Sequence, residues 1–84
     1  MATKFDPQLH VLRSVARSLE DARMRHDAES ARFNLFSALE AGDKTAALDW
    51  LTALEVSFRR AFPELDKPTW EAVDRAITSI RSTL

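Results

Sequence analysis

The sequence predicts an all-α fold, a small antiparallel helical bundle of three or four helices, and three observations point to it. Apolar residues recur at three- and four-residue spacing along every segment, the period of one helix face. One Gly and three Pro are all that the 84 residues contain, and they stand at segment boundaries. Asp precedes each segment, at Asp6, Asp43 and Asp66, where a short carboxylate can accept from the free N–H groups of a first helical turn.

The first segment, residues 7–41, is the longest. Asp6 is the expected cap, with Pro7 in the opening turn where its missing donor costs nothing. Gly42 is placed to close the segment in the left-handed conformation. Residues 1–5 read as a loose tail, with Phe5 able to fold back onto Leu9 as a hydrophobic staple. Within the segment the apolar phase flips. Leu9, Leu12, Val15, Ala16, Leu19 and Ala22 share one face, while Ala28, Ala31, Leu35, Phe36 and Leu39 share a face roughly 180° around. Two structures satisfy the flip. The helix can break near residues 23–28, with Asp27 capping its second half. It can also run unbroken for about 52 Å and leave one stripe for a second copy of the chain. The polar side carries Arg13, Arg17, Glu20, Asp21 and Arg25, in which Arg17/Asp21 and Asp21/Arg25 are i,i+4 pairs.

The second segment, residues 43–62, has the widest stripe: Ala47, Trp50, Leu51, Leu54, Phe58, Ala61 and Phe62. Its connection of only two or three residues predicts an antiparallel hairpin with residues 28–41. Arg59 and Arg60 fall in its last turn, where cations complement the helix dipole, and Pro63 ends it. The third segment, residues 67–84, opens with Asp66 as cap and Pro68 in the first turn. It then repeats Trp70, Val73, Ile77, Ile80 and Leu84 as a narrow seam that runs to the last residue. No internal repeat is evident, so residues 1–84 read as a single helical domain.

Composition bounds the function. Thirteen of 38 apolar residues are Ala, so the core rests on ten Leu, five Phe, two Trp and a few Val and Ile. A core that small is often supplemented by oligomerisation, and a homodimer is expected, since a continuous long helix would leave one stripe without a partner in the chain. The absence of Cys removes disulfides, thiolate metal sites and Cys nucleophiles. Neither an apolar leader nor a spanning segment is visible, so a cytoplasmic protein with no membrane partner is expected. Net charge is −1, which argues against a general nucleic-acid binder.

Chemistry-bearing motifs are sparse. His10 and His26 lie sixteen residues apart and lack the spacing that puts two metal ligands on one helix face. With a single Gly there is no phosphate-cradling loop, and no rigid turn presents a nucleophile. No enzyme activity, cofactor or metal is expected. Apolar surface remains: Phe33 falls outside both stripes, Leu48 and Val56 lie off theirs, and Trp70 opens its helix with one ring edge free. Aromatic and Arg side chains together carry much interface energy. The expected function is protein binding through helix faces, as an adaptor, inhibitor, immunity or chaperone-like protein, with Phe33, Arg32, Arg25, Arg17, Arg13 and Trp70 as contact residues. The alternative is a nucleic-acid-associated regulator using Arg13, Arg17, Arg23, Arg25 and Arg32.

Overall fold

The structure is a computed structural model and describes residues 4–84. Four helices make it up: α1 (Asp6–Ser18), α2 (Ala22–Ala41), α3 (Lys44–Arg60) and α4 (Lys67–Thr83), with a single 3-10 turn, Phe62–Glu64, between the last two. The all-α reading holds in its four-helix form.

The long segment breaks, but at residues 19–21 and not at 23–28. Leu19 leaves the helical region at φ −65°, ψ 131°, and its N–H closes α1 on the Ala16 carbonyl at 3.3 Å. Asp21, at φ −70°, ψ 116°, caps α2 by accepting from the N–H groups of Arg23 and Met24, each at 3.0 Å. Asp27 therefore lies inside α2, exposed. Three further bonds pin the joint. The Ser18 hydroxyl donates to the Val15 carbonyl at 2.7 Å, Arg25 Nη1 donates to the Leu19 carbonyl at 3.0 Å, and the Glu20 N–H donates to Glu64 Oε1 at 2.9 Å. The helix ends thus recover partners for backbone groups that lose their intrahelical ones. Once the chain reverses here, stripes on opposite faces of a straight helix become facing stripes of two antiparallel helices. Ala22, assigned above to the first stripe, is exposed as a result.

The stripes bury as a single core. Leu12, Leu35, Leu51, Leu54, Phe58, Ile77, Ile80 and Val73 are fully enclosed, joined by Leu9, Ala16, Leu19, Ala28, Ala31, Ala38, Ala47, Ala61 and Ala76. Burial of each large member stabilises by about 1.5–3 kcal/mol. The α2–α3 contact is the most extensive in the bundle, and buried Ala38 and Ala47 lie together at its turn end. Each helix packs on its chain neighbours, and α4 closes the ring on α1, where Gln8 Nε2 donates to Ser79 Oγ at 3.0 Å. Arg81 reaching Glu55 at 3.2 Å, and Phe62 meeting Trp70, show that α3 and α4 are antiparallel too. The order is up-down-up-down.

The terminal signals split. Gly42 takes the left-handed conformation at φ 70° and closes α2, as expected. Asp43 accepts from the Ala46 N–H and Asp66 from the Thr69 N–H, so both cap as expected. Hydrogen bonds from Thr69, side chain first and backbone second, hold the Asp66 carboxyl below the usual aspartate value. Asp6 does not cap. It lies within α1 and Phe5 takes the N-cap position without a side-chain bond. Phe5 itself is buried in the core cluster with Leu9, and its carbonyl accepts from the Leu9 N–H at 2.9 Å. The staple expectation therefore fits, the loose-tail reading fails at Phe5, and residues 1–3 lie outside the described residues. On α3 the stripe is narrower than expected, because Trp50 and Phe62 are exposed and Phe62 belongs to the 3-10 turn. Among the described residues no helix is long and apolar enough to cross a membrane.

Candidate functional site

The break at residues 19–21 lays α1 antiparallel beside α2, and this brings together side chains that the sequence separates by 12 to 30 positions. Near the joint, Arg17 Nε donates to Glu29 Oε1 at 3.2 Å. Further along, Asp6, Leu9, His10 and Arg13 of α1 face Arg32 and Phe36 of α2 across a shared notch. On α2 itself, Glu29, Arg32 and Phe36 follow one another at helical spacing along the edge that meets α1.

Phe33 stands beside that edge. It is 58% exposed, the most open large apolar side chain of the described residues. Spacing places it one turn from Glu29 (i,i+4) and one turn from Phe36 (i,i+3), on the outward side of both. An exposed phenylalanine ring in mid-helix has no packing reason, since the buried residues of α2, Ala28, Ala31, Leu35 and Ala38, occupy the other face.

The electrostatics of the edge are cationic. Arg13 and Arg17 both act on Arg32, and the Glu29 carboxylate, paired with Arg17, is the opposing charge. Arg32 is half-buried, and its guanidinium sits below its ordinary basicity, chiefly through burial, then through the positive charges of Arg13 and Arg17, with Glu29 acting in the opposite sense. Arg32 stays protonated at any physiological pH, and the shift reflects its burial first and the like charges of Arg13 and Arg17 second. Its Nε is enclosed and meets no acceptor among the described residues.

The other contact residues foreseen in the sequence are distributed differently. Arg25 is engaged at the joint by the Leu19 carbonyl. Neither of the i,i+4 pairs foreseen for Asp21 forms, because Asp21 caps α2, Arg17 pairs with Glu29 and Arg25 turns to Leu19. Trp70 is half-buried on α4, packed against the core and edge-on to Phe62 at 5.5 Å and 85°, and α4 packs on α1 and α3 instead of α2. It is remote from Phe33. Arg23 stands nine residues before Arg32, two and a half turns, and so points to the opposite side of α2. Glu29, Phe36, Asp6 and His10 are the members of the face that sequence reasoning passed over. For Glu29 and Phe36 the signal was the i,i+4 and i,i+3 spacing around Phe33, whereas Asp6 and His10 lie on α1 and join the face only once the break is placed.

His10 lines the notch and His26 is exposed on α2. Among the described residues no cluster of three His, Asp or Glu is arranged to hold a metal. What the α1–α2 face offers is directed N–H donation beside open aromatic surface, which is the chemistry of recognition. Set against known proteins, the chain matches no family model, no curated protein and no solved structure.

Proposed function

We propose that this chain is a non-enzymatic protein-interaction module that docks a protein partner on the α1–α2 face, with Phe33 as apolar anchor and Arg13, Arg17 and Arg32 around it. The observation that carries the reading is the exposure of Phe33 beside a convergent guanidinium group set. A buried aromatic anchor ringed by directional charged contacts is the usual composition of an energetic hot spot. Adaptor, inhibitor, immunity and chaperone-like roles all fit such a surface. The nucleic-acid reading fits less well, because Arg23 faces away and Arg25 is committed to the joint, which leaves no continuous basic track.

The test is capture from a host lysate by immobilised protein, compared across variants. Phe33→Ala should keep the circular dichroism spectrum and melting temperature of the parent. It should weaken the captured protein complex at least about tenfold, or about 1.4 kcal/mol. Val56→Ala, which trims another exposed apolar residue on α3, should leave capture unchanged. Equal capture by parent and Phe33→Ala would refute the reading. Capture of nucleic acid that falls steeply with salt would replace it with the alternative.

A further inference from the structure

The notch beside Phe33 has a chemical character of its own. Buried Leu9 and half-buried Phe36 give it apolar lining, and Asp6, His10, Arg13 and Arg32 line the rest. It is open to solvent and encloses about 270 Å³, ample for a carboxylate and its methylene stem. The groups facing it are Asp6, His10 and Arg13 from α1 and Arg32 from α2, with the Arg17–Glu29 pair about one turn away.

Two features of this place are unfavourable as it stands. Arg32 Nε is a donor withdrawn from water with no acceptor among the described residues. An unpaired buried donor costs free energy that any well-placed acceptor returns. The Arg32 guanidinium is also crowded by Arg13 and Arg17, with Glu29 the opposing charge. One added anion would answer both.

We propose that the notch is a carboxylate-binding site, in which Arg32 presents its Nε–Nη fork to one Asp or Glu side chain of the partner, with Arg13 as the second donor. The proposal rests on the docking surface described above and names the chemistry that surface recognises. The planar two-oxygen group matches the two parallel N–H bonds of a guanidinium edge. Because Nε is enclosed, binding turns the guanidinium edge outward, and the unmet donor favours that turn. Asp6 in the same notch and Glu29 nearby set two carboxylates against the three guanidinium groups, an excess of one positive charge that one further carboxylate neutralises.

The experiment follows the Nε–Hε resonances of all arginines by nitrogen-edited NMR on the full chain. Sodium acetate replaces sodium chloride at constant ionic strength, with inorganic phosphate as a second probe. The Arg32 signal should shift along a saturating curve with half-effect below about 0.1 M acetate, whereas Arg59 and Arg60 should drift linearly. Arg32→Lys keeps the charge, removes the fork and should abolish saturation at Arg13. Arg13→Gln should raise the half-effect concentration several-fold. Phe33→Ala should leave the acetate curve intact, so loss of the site and loss of the docking surface are separable. A linear Arg32 response matching Arg59 and Arg60 overturns the proposal. Tighter saturation by phosphate than by acetate overturns the assignment to carboxylate.

Discussion

Replacing Asp21 by Ala, with Asp27 replaced in parallel, tests where the chain reverses. Asp21 accepts two backbone N–H bonds, from Arg23 and Met24, both at 3.0 Å. Losing such a cap costs about 1 kcal/mol, within a range of roughly 0.5–2. Asp27 is exposed in the helix interior, where Ala has the better helix propensity by about half a kcal/mol. Asp27→Ala should therefore be neutral or slightly stabilising. With a urea m-value of about 1–1.5 kcal/mol/M for a chain of this size, Asp21→Ala should lower the midpoint by roughly 0.7–1 M. The melting temperature should fall by about 4–8 °C. Urea titrations followed by circular dichroism at 222 nm, with the m-value held common, read the difference directly. The reversed pattern, a loss for Asp27→Ala and none for Asp21→Ala, would place the break near residue 27. A neutral or slightly stabilising effect of both would mean a continuous helix, in which Asp21 is an interior residue and Ala a better one.

Two further outcomes follow from the packing. Leu54 is fully enclosed at the centre of α3, so Leu54→Ala should cost about 2–5 kcal/mol, a large share of the total stability of so small a domain, while exposed Lys44→Ala should leave the urea midpoint nearly unchanged. Both apolar stripes of the N-terminal segment are covered within one chain, which removes the reason for a homodimer, so sedimentation equilibrium at micromolar concentration should return 9.5 kDa, and a mass near twice that would show that a further face is shared between copies.

Much of the fold was legible because it rests on local chemistry. Asp43, Gly42 and Asp66 sit where turn and cap geometry demand those residue types, and all three perform as their types predict. The seam of α4 buries Val73, Ile77 and Ile80, since a narrow stripe fixes the facing side of a helix without reference to its partner. The break in residues 7–41 was legible as a change of phase, but not as a position. Asp21 and Asp27 are equally competent caps, and no Gly or Pro distinguishes them. The break at residues 19–21 is held by one local bond, Arg25 to the Leu19 carbonyl, and one tertiary bond, the Glu20 N–H to Glu64, which spans 44 residues. Stripe width misled on α3 for a related reason. Trp50 and Phe62 are within reach of the core face by angle, yet they fall at its margins and stay open to solvent, Phe62 with the edge-on Trp70 ring against it.

The site was legible by residue type and illegible by pairing. A face of one helix follows from spacing, and Phe33 was correctly placed off the buried stripe because 3.6-residue periodicity alone decides that. Which α1 residue meets which α2 residue depends on the register between the helices, and that register is set by the joint. For a continuous helix, Arg17 has Asp21 as its natural carboxylate and Arg13 and Arg32 are nineteen residues apart along one rod. With the reversal at residues 19–21, Asp21 is withdrawn into the cap, Arg17 takes Glu29, and Arg13 comes to the side of Arg32. The same carboxylate thus starts α2 and leaves the arginine cluster with one partner fewer. That couples fold to site in a checkable way. If α2 frays at its start, the register loosens where Arg17 meets Glu29, and the positive crowding around Arg32 should relax with it. Asp21→Ala should therefore blunt the saturable acetate response of Arg32 by a larger factor than Leu54→Ala does when both are compared at equal folded fraction, because only the first acts on the joint that sets the register. Equal blunting by the two would show that the notch depends on the bundle as a whole and not on its first turn.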